Sequence, residues 1–296
     1  MLRVGLFIIT NLLVIFMVNI ILSVFNVQPY LQGSGLNYQS LLIFCLIWGS
    51  VGSFISLMIS KFMAKMSMGV KIVEENGPHA ELVRTVHRLA KKANISKMPE
   101  VGIYDSPEVN AFATGPSRNN ALVAVSTGLL RQLNQDELEG VLGHEIAHVA
   151  NGDMITMSLV QGVVNAFVMF FSRIVAFAID NAMRDEEGRG GLGFIARIAV
   201  TIVLDIVFGI AAAPIVAWFS RWREFRADAG GAQLAGKQKM IAALQALQRT
   251  IEMADTEESD KAFASMKISS KTNLAFLFRS HPPLEVRIKA LQQGNF

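Results

Sequence analysis

The sequence predicts a mainly α-helical protein with a small β-sheet, an α+β domain on a membrane domain of about four transmembrane helices. Three observations carry that reading. No Lys, Arg, Asp or Glu stands between Arg3 and Lys61, and a second apolar region runs over 154–220 with few interruptions. Three short segments separated by Gly, Pro and Asn clusters occupy 101–126 and read as strands. His144-Glu145-Ile146-Ala147-His148 lies inside a helical pattern of apolar residues.

Composition narrows the class. The chain has 296 residues, 52% hydrophobic and 17% charged, and its mean hydropathy is +0.39. Charge is low for a soluble domain. The net charge is only +3 despite a pI near 9.0. No basic stripe is interleaved with aromatics, so nucleic acid is excluded as a partner and the bilayer takes its place. The one cysteine, Cys45, sits in an apolar run. It rules out an intrachain disulfide and has no neighbour that would activate it as a nucleophile.

Taken in order, 6–25 and 36–60 are each long enough to span a hydrocarbon core of about 30 Å. The connector 26–35, with Pro29, Gly33 and Gly35, turns between them. The first apolar run is too long for a signal peptide and is expected to be retained. Arg3 precedes the first span, and Lys61, Lys65 and Lys71 follow the second, so both flanks are expected on the cytoplasmic side. An amphipathic helix follows over 78–93, where Leu82, Val83, Val86, Leu89 and Ala90 share a face. His79 and His87 lie near or on it with no metal partner at helical spacing, so they read as surface or packing residues. Strands are expected at 101–105, 110–114 and 121–126, then a short helix at 127–132.

Asn134-Gln135-Asp136-Glu137 reads as a capping box opening the next helix, and Gly152-Asp153 as its stop. The stretches 154–172 and 194–220 are expected to be the third and fourth spans, joined by an acidic, Gly-rich connector. Arg173 and Asp205 interrupt them at similar depth and are expected to pair. The basic Arg221-Trp222-Arg223 follows the last span, and soluble character resumes at Arg223. A helix is expected over 237–254, a mobile polar loop over 255–272, and a final helix over 284–292 behind Pro282-Pro283. The organisation is therefore a two-helix anchor (1–60), a cytoplasmic part with the HExxH helix (61–153), two further spans (154–220) and a second cytoplasmic part (221–296).

Residues four apart lie on one helical face, so His144 and His148 can bind a single zinc ion. Glu145 falls beside the open position and suits a general base toward water there. A catalytic zinc takes three protein ligands. With five histidines in the chain, the third is His281 or a carboxylate. Glu224 is preferred, because Glu224 and Asp228 share a helix face and one can bind metal while the other holds a ligand histidine. Ala227 and Ala229 are small enough to let that helix approach the HExxH helix. Asp153 either supports the metal shell or only ends its helix. Asn110, Ala111, Phe112 and Ala113 read as an edge strand that can align an extended peptide. Two other classes were weighed: a non-catalytic zinc-binding membrane scaffold or chaperone, and a transporter. Glu145 beside an open position argues against the first, and the lack of an inverted repeat against the second.

HEIAH, the downstream REFRADAGGA, the run NAFATG from Asn110 and Ser280-His281-Pro282-Pro283 together resemble the HtpX family of bacterial inner-membrane zinc metalloproteases, relatives of the CAAX prenyl proteases. The resemblance covers essentially the whole chain, and Glu145 is intact. It implies a zincin-like catalytic domain with one Zn2+ per chain on His144, His148 and Glu224. It implies a multi-pass protein with its catalytic part in the cytoplasm, acting on misfolded membrane proteins in quality control and stress response. By analogy with related zinc proteases, His281 is implied as a donor to the tetrahedral oxyanion.

Overall fold

The computed structural model describes residues 37–185, 190–259 and 281–294. The expected first span, its connector and most of the expected polar loop lie outside them. In chain order the elements are α1 (Tyr38–Ser67), β1 (Lys71–Ile72), α2 (Ala80–Lys92), β2 (Glu100–Tyr104), β3 (Ala111–Ser117), β4 (Asn120–Ser126), α3 (Thr127–Gln132), α4 (Gln135–Asn151), α5 (Asp153–Ala182), α6 (Gly193–Ala235), α7 (Lys237–Ser259) and α8 (Leu284–Gln293). The fold is mainly helical, with a small mixed sheet of four strands. Among the described residues, three helices are long and apolar enough to cross a membrane: α1, α5 and α6. They contain the second, third and fourth expected spans.

The chain divides into two compact units, one of Met1–Ser56 with Thr156–Val216 and one of Leu57–Ile155 with Ala217–Phe296. In the first, α1 and α5 pack closely because small residues face each other. A Cβ on Gly49 would lie 2.8 Å from the carbonyl oxygen of Gly162, and Ser158 Oγ donates to the carbonyl of Ser53 at 2.8 Å. Around that seam Leu42, Cys45, Leu46, Ala166 and Phe170 are buried together. The expected pairing of Arg173 with Asp205 is absent. Arg173 donates instead to the Met169 carbonyl one turn back, and Asp205 Oδ1 is buried without a hydrogen-bond partner. The acidic connector is anchored differently, by Asp180, which accepts from Arg184, Arg197 and the Leu192 amide.

In the second unit the sheet order is β1-β2-β4-β3, with β2 and β4 parallel and the other pairs antiparallel. β4 is buried from Ala121 to Ser126, as a near-continuous apolar strand covered on both faces must be. Val101, Val123 and Val125 face α2 and α4. Tyr104, Phe112, Leu122 and Ala124 form the opposite face with Val70 and Ala64. β1 was not expected; two residues are too few for any periodicity to register.

Helix α4 opens and closes as its sequence dictates. The Asn134 side chain accepts from the Glu137 amide and Glu137 returns the bond to the Asn134 amide, a complete capping box. Gly152 ends it in the left-handed conformation, φ 66°. Glycines on α4 and α6 let helices come close. A Cβ on Gly140 would lie 2.3 Å from the Lys239 carbonyl oxygen, and one on Gly231 would lie 3.0 Å from the His144 amide nitrogen. Gly140→Val is therefore expected to push α7 off α4 and destabilise the protein by about 1–3 kcal/mol, the usual cost of overpacking. Thermal unfolding in detergent checks this; an unchanged Tm would mean the seam has room.

Helix α6 runs unbroken over 43 residues, from the expected fourth span through Glu224 and Asp228. Arg221-Trp222-Arg223-Glu224-Phe225-Arg226-Ala227 contains no Gly or Pro to stop it. Likewise α7 continues to Ser259, so the first residues of the expected polar loop are helical.

Candidate active site

The spacing in α4 places His144 and His148 one turn apart with edge-on rings, their centroids 4.6 Å apart. Their Nε2 atoms face each other at 3.0 Å. The far nitrogens explain that orientation. His144 Nδ1 lies 2.9 Å from Asp228 Oδ1, and His148 Nδ1 lies 2.6 Å from Asp153 Oδ2. A carboxylate can only accept, so each Nδ1 carries the proton and each Nε2 presents its lone pair. Two facing lone pairs repel unless a cation lies between them.

Helix α6 brings the third donor. Glu224, fully buried, lies 3.5 Å from His144 Nε2 through Oε2 and 3.3 Å from His148 Nε2 through Oε1. One donor atom from each of the three residues falls within 4.8 Å of the others. A tetrahedral zinc site with bonds of 2.0–2.1 Å has donor–donor edges of about 3.3 Å, so the spacing fits that ion. Glu224 Oε1 is buried without a hydrogen bond, whereas Oε2 accepts from His281 Nδ1 at 2.8 Å and forms an ion pair with Arg287 Nη1 at 3.4 Å. An orphaned carboxylate oxygen beside two free imidazole nitrogens is the donor set a zinc ion completes.

Electrostatics agree. Burial alone would lower the pKa of His144, but its bonds to Asp228 and Glu224 outweigh burial and raise it to about 9. Burial also opposes the charged form of His148, and Asp153 and Glu224 reverse that too, raising its pKa. Burial would raise Glu224; the three histidines hold it well below the usual carboxylate range instead. The metal-free site therefore holds a proton that metal must displace. For His144 the sign is fixed. Its contribution to metal-free stability is complete below its unfolded value of 6.5 and is lost as pH rises through about 9. We expect the metal-free Tm to fall between those values while apparent zinc affinity climbs about tenfold per pH unit for each proton released. Thermal scans and zinc titrations across that range test it; parallel trends in the two would contradict it.

Glu145, half-buried, has no hydrogen-bond partner among the described residues and lines a cavity of about 630 Å3 together with His144, Glu224, His281 and Arg287. Asn110 and Ala111 line the same cavity, as do Leu129, Val141, Met240, Leu244, Leu247 and Ile251. Phe112 packs on Tyr104 across the other sheet face. β3 is an edge strand of the sheet. The Asn110 carbonyl accepts from the Ser126 amide at 2.9 Å and its own amide donates to Ser126 Oγ at 3.2 Å. Strand alternation then turns the backbone N–H and C=O of Ala111 and Ala113 to the open edge.

These residues lie within 76–294, which match the model of Peptidase family M48. The chain belongs to that family. A Protease HtpX of Acinetobacter baylyi is 53% identical over 303 residues, covering 100% of this chain and 99% of the relative. One of Chromohalobacter salexigens is 50% identical over 299 residues, again covering 100% and 99%. The crystal structure of S. mikatae Ste24p is similar with a TM-score of 0.60 at 19% identity, over 96% of this chain and 66% of that one. That likeness is one of fold. The chain is thus a membrane zinc metalloprotease of family M48, with its metal site on His144, His148 and Glu224.

Of the two roles open to Asp153, the contact with a ligand histidine is the one seen: the left-handed Gly152 before it turns its carboxylate back onto His148. Arg287 is the member that the sequence did not single out; it is buried and forks onto Asp228. The signal for Arg287 was faint: it stands beside Ile288 on the apolar side of α8. His79 and His87 stay away from the metal site. His87 bonds Glu75 and the Pro99 carbonyl, and His79 caps α2 without a side-chain bond.

Proposed function

We propose that this peptidase is a membrane-integrated endopeptidase that cuts misfolded or damaged membrane proteins on the cytoplasmic side of a bacterial inner membrane, in quality control and stress response. One observation carries the reading: the metal donors His144 and Glu224, Glu145 and the start of an edge strand line one largely apolar cavity. The names of the relatives support proteolysis. The basic residues Lys61, Lys65 and Lys71 after one apolar stretch, and Arg221 and Arg223 after another, support the cytoplasmic side.

Zinc held by His144, His148 and Glu224 supplies Lewis acidity toward water and toward the scissile carbonyl. The remaining work belongs to the chain. Asp228 and Asp153 keep the two histidines in the tautomer that leaves Nε2 free. Glu145 takes the proton of the attacking water and passes it to the leaving amine. His281, exposed and bonded to Glu224 through Nδ1, offers Nε2–H in its protonated form to the oxygen on which charge builds. Asn110, Ala111, Phe112 and Ala113 align an extended peptide by adding it to the sheet. The apolar wall, Leu129, Met240, Leu244 and Leu247 among it, takes the aliphatic side chains abundant in membrane proteins.

Ala111→Pro removes one edge N–H without touching a metal donor. It is expected to lower kcat/KM about tenfold, the worth of one backbone hydrogen bond, with zinc content unchanged; equal turnover would remove β3 from substrate binding. The functional reading itself is tested in oriented vesicles. A membrane substrate with an unfolded segment on the Lys61 side should be cut, and one unfolded only on the opposite side spared. Equal cleavage of both, or of folded soluble proteins, would sink the assignment of side and substrate.

A further inference from the structure

We propose that Arg287 is a positioning residue that sets the metal shell from behind, by clamping Asp228 in the one orientation that serves His144. Nothing in the reaction requires Arg287 to touch the substrate, and its burial needs another explanation. It is 5% exposed, next to Asp228 at 2%. Its Nε donates to Asp228 Oδ2 at 2.8 Å and its Nη2 to Asp228 Oδ1 at 2.6 Å. That is the two-toothed fork in which a guanidinium fixes the plane of a carboxylate as well as its distance.

The oxygen held by Nη2 is the one that receives His144 Nδ1–H at 2.9 Å. Fixing Asp228 thus fixes the rotation of the His144 ring and the direction of its Nε2. The third tooth, Nη1, lies 3.4 Å from Glu224 Oε2. With His281 Nδ1 on the same oxygen, it occupies the Oε2 side of the carboxylate and leaves Oε1 free of hydrogen bonds. One guanidinium therefore orients two donors that enter the site from different helices, α4 and α6. A lysine cannot reproduce this, because an ammonium is a point charge without a planar fork.

The placement also carries a cost that argues for a role. A cation buried beside a metal site repels the ion it helps to hold. It is tolerable only while Asp228 and Glu224 compensate it. A purely structural site on α8, which already packs through Ile288 and Leu291, would be served better by an apolar residue.

The inference rests on the metal-centre reading, and the test separates the two. The full chain is purified in detergent, stripped of metal and titrated with zinc against a chelating dye, then loaded with Co2+ for its visible spectrum. Arg287→Lys is expected to bind zinc about 10–100-fold more weakly, the range for loss of an outer partner of a metal ligand. Its Co2+ bands should shift, and kcat should fall while KM stays within about twofold. On an Asp228→Asn background, Arg287→Met should add little, since Arg287 acts through Asp228. Wild-type affinity and spectrum in Arg287→Lys, or additive losses in the double variant, would overturn the proposal. So would metal-free variants that fail to fold, since Arg287 would then be a prop of the core. If the parent protein took up no zinc, the metal-centre reading would fall and take this one with it; zinc uptake by the parent with unchanged variants sinks the Arg287 role alone.

Discussion

Glu145→Gln is expected to bind zinc like the parent protein and to lose turnover by about 10²–10⁴-fold, the usual worth of a positioned general base. The substitution is nearly isosteric and removes no metal donor. Glu145 has no hydrogen-bond partner among the described residues, so the change breaks no hydrogen bond that supports the fold. A glutamine cannot accept a proton from water, and it cannot return one to the leaving amine. Zinc content and cleavage of an unfolded substrate, measured on the same preparation, decide the matter. Turnover above about a tenth of the parent's would assign the base elsewhere.

The second large effect is expected at Glu224. Glu224→Ala should reduce zinc from one per chain to near zero after dialysis against a chelator, and abolish cleavage with it. The loss should exceed the about 10–100-fold fall typical of an outer partner, so Asp228→Asn should lie between Glu224→Ala and the parent. Two neutral imidazoles with Nε2 atoms 3.0 Å apart hold a dication poorly once their anionic partner is gone. The same change leaves Arg287 Nη1 and His281 Nδ1 without the oxygen they share. Retained zinc in Glu224→Ala would mean that His281 supplies the third donor, the alternative the sequence left open.

How far these residues could be read in advance follows from where their information lies. His144, His148, Glu224 and Asp228 were legible because metal-binding residue types recur at helical spacing, which is local. The helix that bears the histidines was legible for the same reason: Asn134, Glu137 and Gly152 announce its ends within the segment itself. Arg287 bonds a residue 59 positions away, and no pattern within α8 specifies that partner. Asp153 was left between two roles for a subtler reason. The residue type suits both, and the direction of its side chain is set by the left-handed Gly152 before it. Arg173 and Asp205 failed in reverse: similar depth in two spans was mistaken for adjacency, and Arg173 found a carbonyl in its own helix. The edge position of β3 was inferred from a short strand between turn signals, and the sheet order bears out that geometry.

The order in which the site's parts occur along the chain has a consequence for biosynthesis. The HExxH histidines are made first, Glu224 and Asp228 some 80 residues later, and His281 and Arg287 with the last helix. A polypeptide still on the ribosome at residue 250 has both histidines but lacks the arginine that aims one of them and the histidine that partners Glu224. On the roles proposed for His281 and Arg287, competence to cut awaits the segment that carries them. Until that segment emerges, a growing chain carries the two histidines without the groups that orient them.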